Sequence, residues 1–424
     1  MRIHVFAEHY PNPYKPYYDT QLSQFLEDGH DVSVFTFGKH DATRNALIDR
    51  WGLDRRTTYL PWTLRDLPSW LPRLAHDLLR GPGAPMRSVS AARDDRLPLK
   101  RVLLDAVRAL ALPEQEPDVC LVHNLITAQS FGFLARWYPG ARVALYFHGG
   151  ELPDGRPIPE RESRRVFGGV HRVFTNTASS RGELLRRGCE PEKISVLPVG
   201  FRLEDYPPDS PKPWMPDGVL RLVSVGRVSA EKGLDYALDA VAQLRARGID
   251  RFRYRIVGAG TALAGLHERV RAERLERLVE FVGEVLHHAL VDEYRRADVL
   301  LLPSVPTAHW AETQACVVQE AMLMGLLVIA SRTGGVPESL APEQQQRFGV
   351  EPRDSAGMAR RIEELLGLGH GEARRLGEAG REFTAARYDI RTLNRRLLEE
   401  ALGAPSRVAG LATACAEPGS APSP

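Results

Sequence analysis

The sequence predicts an α/β protein in which two doubly wound domains face each other across a cleft. At 424 residues and 43% hydrophobic content, the chain can bury two cores rather than one. Short apolar strands alternate with helix-length segments in both halves, the order expected of β-α-β units in parallel sheets. A proline-rich run at 205–218 interrupts the alternation, because proline continues neither a helix nor an inner strand. We therefore predict domains at 1–204 and 219–384, joined by this linker.

The first half supplies the strands of the N-terminal domain. A strand at Ile3–Ala7 is followed by a loop of prolines and tyrosines, a helix at 19–27 and a strand at Val32–Phe37. Later strands are predicted at Asp118–Val122, Arg142–Phe147, Arg172–Thr175 and Ile194–Leu197. His123 and His148 directly follow two of these strands, at the edge where ligands of such sheets bind. A histidine at a strand end is also a common structural group, so each has this alternative interpretation.

The second half repeats the pattern. Its predicted strands and the helices between them are Leu220–Val225, Gly233–Ala246, Tyr254–Val257, Leu263–Glu273, Val279–Val282, Ala289–Arg296 and Val299–Leu302. A short strand near Phe348–Val350 and helices at Ser355–Leu366, Glu372–Thr384 and Ile390–Leu402 follow. The tail at 403–424 is rich in proline, serine, alanine and glycine, so we expect it to be disordered.

Residues 51–108 are the least regular part of the chain and are interpreted as an insertion in the first domain. Within them, apolar residues recur at helical spacing over 64–79, with arginines and a histidine on the remaining faces. A basic amphipathic segment that contains Trp70 can rest on a membrane surface. The alternative, which we prefer, is that the segment packs its apolar stripe onto the domain.

Composition excludes several other classes. A net charge of +2, from 56 basic and 54 acidic residues, gives no global field for nucleic acid. Four scattered cysteines without CxxC spacing argue against a zinc ribbon or a disulfide scaffold. His4 and Glu8 interrupt the first apolar run too early for a signal peptide, and no stretch approaches the roughly 20 apolar residues that span a bilayer. The sequence predicts a cytoplasmic protein, with peripheral contact at the inner face of the membrane as the open alternative.

The segment Glu312–Glu338 carries the strongest functional signal. A helix that begins near Cys316 would present free N–H groups and its positive dipole end on the Glu312 side, a natural site for a phosphate. Glu320 would lie about one turn further in, where its carboxylate can accept hydrogen bonds from ribose or sugar hydroxyls. Taken alone, the two carboxylates would be ordinary surface charges. With the sequence around them, they predict a ligand that contains both a phosphate and a sugar.

A second cluster lies where the first strand of the second domain meets its first helix. Gly226 allows the backbone to approach a ligand, while Arg227 and Lys232 bring two cations over the same anionic group. The alternative is two solvated surface cations. Gly258 and Gly260 follow the next strand, and the segment with Gly283 and Val285 follows the one after, but a lone G-x-G is weak evidence.

These motifs resemble one known family. The spacing Glu-x7-Glu followed by E-A-M-x-x-G-x-x-V-I-A-S-x-x-G-G-x-x-E is similar to the donor-site signature of retaining glycosyltransferases of family 4, which have the GT-B fold. The resemblance covers nearly the whole chain and looks closest to bacterial members that build exopolysaccharides, such as the colanic-acid type. It implies two Rossmann-like domains, with the acceptor bound mainly by the first and a nucleotide-sugar by the second. The last helix, at 385–402, would cross back to the first domain.

The resemblance also implies roles for individual residues. Catalysis would fall to His148, Arg227, Lys232 and Glu312. The donor would be bound by Gly226, Arg227, Lys232, Gly258, Gly260, Gly283, Val285, Glu312, Gln314, Ala315, Cys316, Val317 and Glu320. Acceptor-binding residues would be His9, Tyr10, Lys15, His123, Asn124 and Glu151. Arg227 and Lys232 would hold the leaving diphosphate, Glu312 and His148 the sugar, and Glu320 the ribose.

Two departures from the family pattern bear on specificity. Many members carry a Gly-Gly pair after the first strand, where this chain has rings and a lysine, which puts the acceptor class in question. Members commonly have E-G-F-G-L where this chain has Glu312-Thr313-Gln314-Ala315-Cys316. Alanine in place of glycine keeps the backbone contacts if its φ is negative, whereas Thr313 can narrow the sugar pocket.

The expected chemistry is same-face transfer of a hexose-type sugar, with a UDP-sugar as the preferred donor. In the favoured picture of retaining GT-B enzymes, the departing phosphate takes the acceptor proton and no enzyme nucleophile is required. The chain has no Asp-x-Asp triplet, so we expect no metal and no cofactor. The acceptor would be the hydroxyl of a glycan, a lipid-linked glycan or, as the runner-up, a small natural product such as an aminocyclitol. A non-transferring epimerase and a binding protein of the same fold are the alternatives of another class.

Overall fold

The computed structural model describes residues 1–12, 15–39, 46–66, 68, 83–93, 97–149, 158–207, 213–308 and 310–403. Some sequence-based predictions concern residues that lie at least partly elsewhere. Most of the amphipathic segment 64–79, the acceptor candidate Glu151, residues 208–212 of the predicted linker and the tail beyond residue 403 are outside the described residues.

The N-terminal domain is built on a parallel sheet of seven strands in the order β3-β2-β1-β4-β5-β6-β7. Its strands are β1 (Arg2–His9), β2 (Asp31–Gly38), β3 (Thr57–Tyr59), β4 (Val119–His123), β5 (Arg142–Phe147), β6 (Arg172–Thr175) and β7 (Ile194–Val196). The helices are α1 (Tyr17–Glu27), α2 (Ala46–Trp51), α3 (Gly83–Ala92), α4 (Leu99–Ala111), α5 (Leu125–Ser130), α6 (Leu134–Trp137), α7 (Glu160–Gly168) and α8 (Ala178–Arg186). The central strands are apolar on both faces because helices cover both sides of the sheet.

The C-terminal domain has a parallel sheet of six strands in the order β10-β9-β8-β11-β12-β13. Its strands are β8 (Leu220–Val225), β9 (Phe252–Val257), β10 (Val279–Gly283), β11 (Val299–Leu302), β12 (Leu327–Ser331) and β13 (Gly349–Val350). The helices are α9 (Leu234–Ala246), α10 (Leu263–Ala272), α11 (Leu290–Arg296), α12 (Cys316–Leu323), α13 (Val336–Ser339), α14 (Pro342–Phe348), α15 (Ser355–Leu366) and α16 (His370–Tyr388). Two parallel sheets with flanking helices confirm the predicted fold class.

The described parts of the region 51–108 are more regular than the sequence analysis expected. They contribute the edge strand β3 and the helices α3 and α4, which pack against each other as a hairpin. A buried ion pair, Asp105 with Arg108, lies on the inward face of α4. The Arg108 guanidinium also donates to the carbonyls of Pro61 and Trp62, which ties α4 to the chain that follows β3.

The last helix, α17 (Ile390–Ala401), packs on the N-terminal domain rather than on the domain that precedes it. Its buried residues Leu393, Leu397 and Leu398 belong to the same apolar cluster as Leu22 and Phe25 of α1. The Asp389 carboxylate accepts a hydrogen bond from the Arg391 N–H and caps the helix, which separates α17 from α16. Because α16 runs without a break from His370 to this cap, the predicted helix at 372–384 is too short at both ends.

The described part of the chain contains no helix that is both long enough and apolar enough to span a membrane.

Replacing Leu397 with alanine tests the role of α17 as part of the N-terminal core. Leu397 is fully buried, so its truncation should destabilise the protein by about 2–5 kcal/mol. Leu402, at the end of the same helix, is 46% exposed, and Leu402→Ala is the matched control. Urea unfolding followed by fluorescence should show a lower midpoint for Leu397→Ala alone. Equal midpoints for the two variants would contradict this packing role.

Candidate active site

A cavity of about 380 Å³ lies between the two domains. The N-terminal domain contributes the start of α1, including Tyr17 and Thr20, and the segment between the domains contributes residues from Gly200 to Tyr206. The rest of the lining comes from the C-terminal domain, at the carboxyl ends of β8, β9 and β10, at the start of α11 and at the start of α12. Because the strands are parallel, their carboxyl ends meet at one edge, which is where ligands of such sheets bind.

The start of α12 faces this cavity. The helix begins at Cys316, as predicted, and no side chain of the described residues caps it. Ala315, Cys316 and Val317 line the cavity, so the unpaired N–H groups of the first turn are positioned for an anion. Ala315 has a φ of −83°, which meets the condition under which alanine can replace the family's glycine.

Two glycines fix the loop that leads into α12. A side chain at Gly334 would lie 2.0 Å from the carbonyl oxygen of Glu312, and one at Gly335 would lie 1.9 Å from that of Thr313. The N–H of Gly335 donates a hydrogen bond of 2.8 Å to the Glu312 carbonyl. The Gly-Gly pair that follows β12 is therefore required by close backbone packing beneath Glu312.

Lys232 and Glu312 form an ion pair at the cavity. Glu312 is buried, and its Oε1 also accepts a hydrogen bond of 2.9 Å from Ser304 Oγ. The Lys232 Nζ lies 5.2 Å from the centre of the Trp310 ring. Arg227 is at the cavity rim, with a side chain that is 59% exposed and 3.3 Å from the Glu231 carboxylate. The structure thus brings the two predicted cations to one cavity, one held in place and one largely in solvent.

Glu320 lies beside two tyrosines that the sequence analysis did not identify. Tyr294, which is fully buried, donates a hydrogen bond of 2.6 Å to Glu320 Oε2, and Tyr206 lies close enough for the Glu320 charge to act on its hydroxyl. Burial, and then the neighbouring Glu320, raises the pKa of both tyrosines well above the ordinary value, so they remain donors. His287 Nδ1 lies 3.9 Å from Glu320 Oε1. Nothing in the local sequence indicates these partners, because they come from other elements.

His123 and His148 form a pair beside the main cavity. His123 Nδ1 and His148 Nε2 are 3.1 Å apart, and the His148 ring stacks on Tyr146 at 4.6 Å between centroids. Both histidines border a small separate cavity of about 10 Å³ that shares Tyr17 with the main one. Burial and the Lys15 charge lower the pKa of His123 to about 3, and burial and His123 lower that of His148 well below its ordinary value. The pair is therefore neutral, with one ring nitrogen donating to the other.

The other acceptor candidates cluster near the carboxyl ends of β1 and β4. Tyr10 is buried and donates a hydrogen bond of 2.8 Å to Asp19, and Asn124 donates one of 3.0 Å to the Tyr18 hydroxyl. Lys15 Nζ lies 5.7 Å from the centre of the Tyr18 ring. His9 packs at 5.5 Å from Trp62, an exposed aromatic residue that the sequence analysis did not select. Tyr10 and Asn124 thus have structural partners in the free protein.

Four predicted donor residues make backbone contacts. Gln314 borders the cavity, but its amide binds both backbone groups of Val199, at 2.7 and 3.0 Å. A side chain at Gly260 would lie 2.3 Å from the Val228 carbonyl oxygen. The Gly283 carbonyl accepts a hydrogen bond of 2.7 Å from the Gly258 N–H. Gly226, Gly258 and Val285 line the cavity, whereas Gly260 and Gly283 lie behind this lining.

Among the described residues, no cluster of three or more histidine, cysteine, aspartate or glutamate side chains is arranged to hold a metal ion.

Comparison with known proteins identifies related sequences for both domains. A family model described as "Glycosyl transferase 4-like domain" matches residues 20–200, and one described as "Glycosyl transferases group 1" matches residues 208–383. The chain is 27% identical to a protein named as the colanic acid biosynthesis glycosyltransferase WcaL of Salmonella typhimurium, over 94% of this chain and 98% of that protein. It is also 27% identical to the amylovoran biosynthesis glycosyltransferase AmsK of Erwinia amylovora, over 88% of this chain and 92% of that protein.

Solved structures share the whole architecture. The Anabaena protein Alr3699/HepE in complex with UDP superposes with a TM-score of 0.67 at 16% identity, over 94% of this chain and 99% of that chain. The complex of the same Anabaena protein with UDP-glucose gives a TM-score of 0.65 over 95% of this chain and 99% of that chain. This similarity confirms the predicted GT-B fold.

The neutral histidine pair predicts a pH dependence of stability. An unfolded histidine has a pKa of about 6.5, whereas that of folded His123 is about 3. Between these pH values the unfolded chain binds more protons at this histidine than the folded chain does. The part of the free energy of unfolding that depends on neutral His123 is therefore fully present above pH 6.5 and is lost as the pH falls toward 3. The free energy of unfolding should fall by up to about 1.4 kcal/mol per pH unit for this group.

The variant His123→Gln should show a shallower fall than the wild type in urea unfolding measured at several pH values between about 7 and about 5. The slope is the readout, because the substitution itself also changes the absolute stability. His370→Gln replaces an exposed histidine and is expected to keep the wild-type slope. If His123→Gln keeps that slope as well, the inference that His123 is neutral in the folded protein is wrong.

Proposed function

Because the chain belongs to the group 1 glycosyltransferases with a family-4-like N-terminal domain, we propose that it transfers a hexose-type sugar from a UDP-sugar to a hydroxyl with retention of anomeric configuration. The acceptor is a glycan, free or lipid-linked. One observation carries the proposal. A single cavity contains the open start of α12, the Lys232–Glu312 pair and the buried Glu320, which suit a diphosphate, a sugar and a ribose.

The proposed donor pose follows from the charges in the cavity. The diphosphate lies between the first turn of α12 and the cations Arg227 and Lys232, since each of these favours negative charge. The ribose lies at Glu320, whose Oε2 is held by Tyr294, so that Oε1 can accept from ribose hydroxyls. Lys232 and Ser304 both donate to Oε1 of Glu312. We therefore assign Oε2 of Glu312 to a hydroxyl of the sugar. UDP-bound proteins among the structural relatives support this choice of nucleotide.

In the proposed reaction, the acceptor oxygen bonds to the anomeric carbon on the face from which the diphosphate departs. The bond from that carbon to the phosphate oxygen breaks, and the departing phosphate oxygen takes the acceptor proton. The protein supplies electrostatic stabilisation of the leaving diphosphate and alignment of the two substrates. Arg227, Lys232 and the start of α12 provide the positive charge, so we propose that the reaction needs no metal.

The neutral His148 has a positioning role in this scheme. Its ring is locked by His123, Tyr146 and Tyr17, and it lies next to the cavity on the acceptor side. Because its pKa is lowered so far, this imidazole is a weak base, and it can hydrogen-bond a sugar hydroxyl without taking the acceptor proton. We also propose that the protein acts in polysaccharide biosynthesis. The names of the relatives WcaL and AmsK, which match most of this chain, support this pathway.

The first experiment is a thermal-shift and hydrolysis panel of UDP-, GDP- and ADP-sugars, with and without EDTA. A ligand that binds the native state raises its unfolding temperature. We expect a shift with a UDP-sugar that EDTA does not remove, accompanied by slow release of UDP and of a sugar whose first-formed anomer, seen by proton NMR, matches the donor. Epimerised donor without release would favour the epimerase alternative, and no shift with any nucleotide-sugar would overturn the proposed function.

Replacing Lys232 with alanine should lower turnover of the active donor by about 100- to 1000-fold at saturating donor, because a charge that stabilises the leaving diphosphate is lost. Glu320→Gln should likewise reduce turnover by orders of magnitude. Lys193→Ala is the matched control, since Lys193 has similar exposure and also pairs with a glutamate, but on the N-terminal domain away from the cavity. Wild-type turnover in Lys232→Ala would contradict the assigned site.

Tyr294→Phe tests the placement of the ribose at Glu320. The variant removes a hydrogen bond to a buried carboxylate, so we expect the Kd for UDP, measured by calorimetry, to rise about tenfold. Tyr254→Phe is the control, because Tyr254 is equally buried but bonds Ser224 in the core of the same domain. Equal UDP affinity in both variants would show that Tyr294 does not support nucleotide binding.

A further inference from the structure

Large apolar side chains are exposed together on the helical hairpin α3–α4. In the described part of the chain, nine large hydrophobic residues are exposed, and four of them lie on this hairpin. Met86 and Val89 are one turn apart on α3, with exposures of 80% and 50%, and Leu99 and Leu103 are one turn apart on α4, with 72% and 49%. The inward faces of the helices already pack against the domain, so these four residues are not needed for its core.

The surroundings of these residues are basic. The described residues 83–93, 97–101 and 160–165 together contain seven arginines and lysines but two glutamates and no aspartate, whereas the whole chain is nearly balanced. Lys100 and Arg161 are exposed, and Arg164 is paired with Glu160. The start of α4 adjoins α7 across a groove that contains Leu97, Arg101 and Arg165. We define the basic-apolar patch as Met86, Val89, Leu99, Leu103, Lys100 and Arg161.

The patch lies on the acceptor side of the N-terminal domain. Helices that connect parallel strands run opposite to the strands, so the starts of α4 and α7 are near the carboxyl edge of the sheet. Side chains tie them to this edge, because Arg101 donates to the backbone of Gln129, whose amide donates to Glu162 of α7. Gln129 belongs to α5, which begins immediately after His123 and Asn124. The patch and the predicted acceptor residues thus share one edge.

We propose that the basic-apolar patch docks the protein on an anionic lipid bilayer. Exposed leucines and methionine can enter the boundary between headgroups and acyl chains, while lysine and arginine are attracted to anionic headgroups. A nucleic acid would use the cations but would leave the four apolar residues without a partner. A second copy of the chain joined through the same face would place arginines against arginines.

Docking in this way turns the acceptor edge of the N-terminal domain toward the membrane. A glycan acceptor carried on a lipid would then meet the cleft without leaving the bilayer. This lipid-linked acceptor class rests on the proposed function, whereas binding of the patch to a bilayer does not. The inference places membrane contact on a surface other than residues 64–79, most of which lie outside the described residues.

Co-sedimentation with vesicles tests the patch. The full chain is mixed with vesicles of phosphatidylcholine, with or without phosphatidylglycerol, at low and high salt. We expect binding to the phosphatidylglycerol vesicles that weakens at high salt, and at least roughly a tenfold loss of partitioning in the double variants Leu99→Glu with Leu103→Glu and Lys100→Glu with Arg161→Glu. Leu402→Glu and Arg251→Glu, at exposed positions elsewhere, are the matched controls.

Hydrolysis of the donor without vesicles is measured in parallel and is expected to be unchanged in the patch variants, which shows that they are folded. A wild type that stays in solution with phosphatidylglycerol vesicles at low salt would overturn the proposal. Equal loss of partitioning in the patch and control variants would also overturn it. If the wild type does not bind vesicles but self-associates, and the patch variants do not self-associate, the partner of the patch is a second copy of the chain and not a bilayer. Vesicle binding without any donor hydrolysis would uphold the patch and count against the proposed function alone.

Discussion

Backbone hydrogen bonds of the segment Val199–Phe201 hold the two domains in one arrangement. Gln314 of the C-terminal domain binds both the N–H and the C=O of Val199, while Phe201 pairs with the carbonyl of Tyr388 and the N–H of Ile390. Buried peptide groups are costly when unpaired, so this part of the chain depends on groups that the second half supplies. Gln314 also lies in the loop that carries Glu312 and leads into α12. The geometry of the site is therefore fixed by the same contacts that join the domains.

Electrostatic compensation follows a consistent pattern around the cleft. Each buried carboxylate of the site has a donor of its own, since Lys232 and Ser304 donate to Glu312 and Tyr294 donates to Glu320. Across the interface, the Glu338 carboxylate accepts hydrogen bonds from the N–H groups of Ala178 and Ser179 at the start of α8. That helix end is satisfied by the protein itself, whereas the start of α12 opens into the cavity. The contrast distinguishes a structural helix terminus from one that suits a ligand.

Sequence patterns predicted the fold class and the start of α12, because these depend on local periodicity and on glycines at turns. They did not predict Tyr206 and Tyr294, since a tyrosine that supports Glu320 from another element has no local signature. The described helices α3 and α4 were also missed, because prolines and glycines surround them in the sequence and indicated irregular structure. The same limit applies to the patch on α3 and α4, whose significance depends on which side chains the fold leaves exposed. The donor and acceptor roles of individual residues stay predictions.

The position of α17 has a consequence for biosynthesis. The apolar surface of α1 that α17 covers is made early, but the helix that covers it is the last described element of the chain. Roughly 190 residues separate Gly200 from Ile390, and at about 5–20 residues per second their synthesis takes about 10–40 s. During that interval the N-terminal domain has all of its strands but an open face. The nascent chain is therefore expected to need protection from aggregation until α17 has left the ribosome.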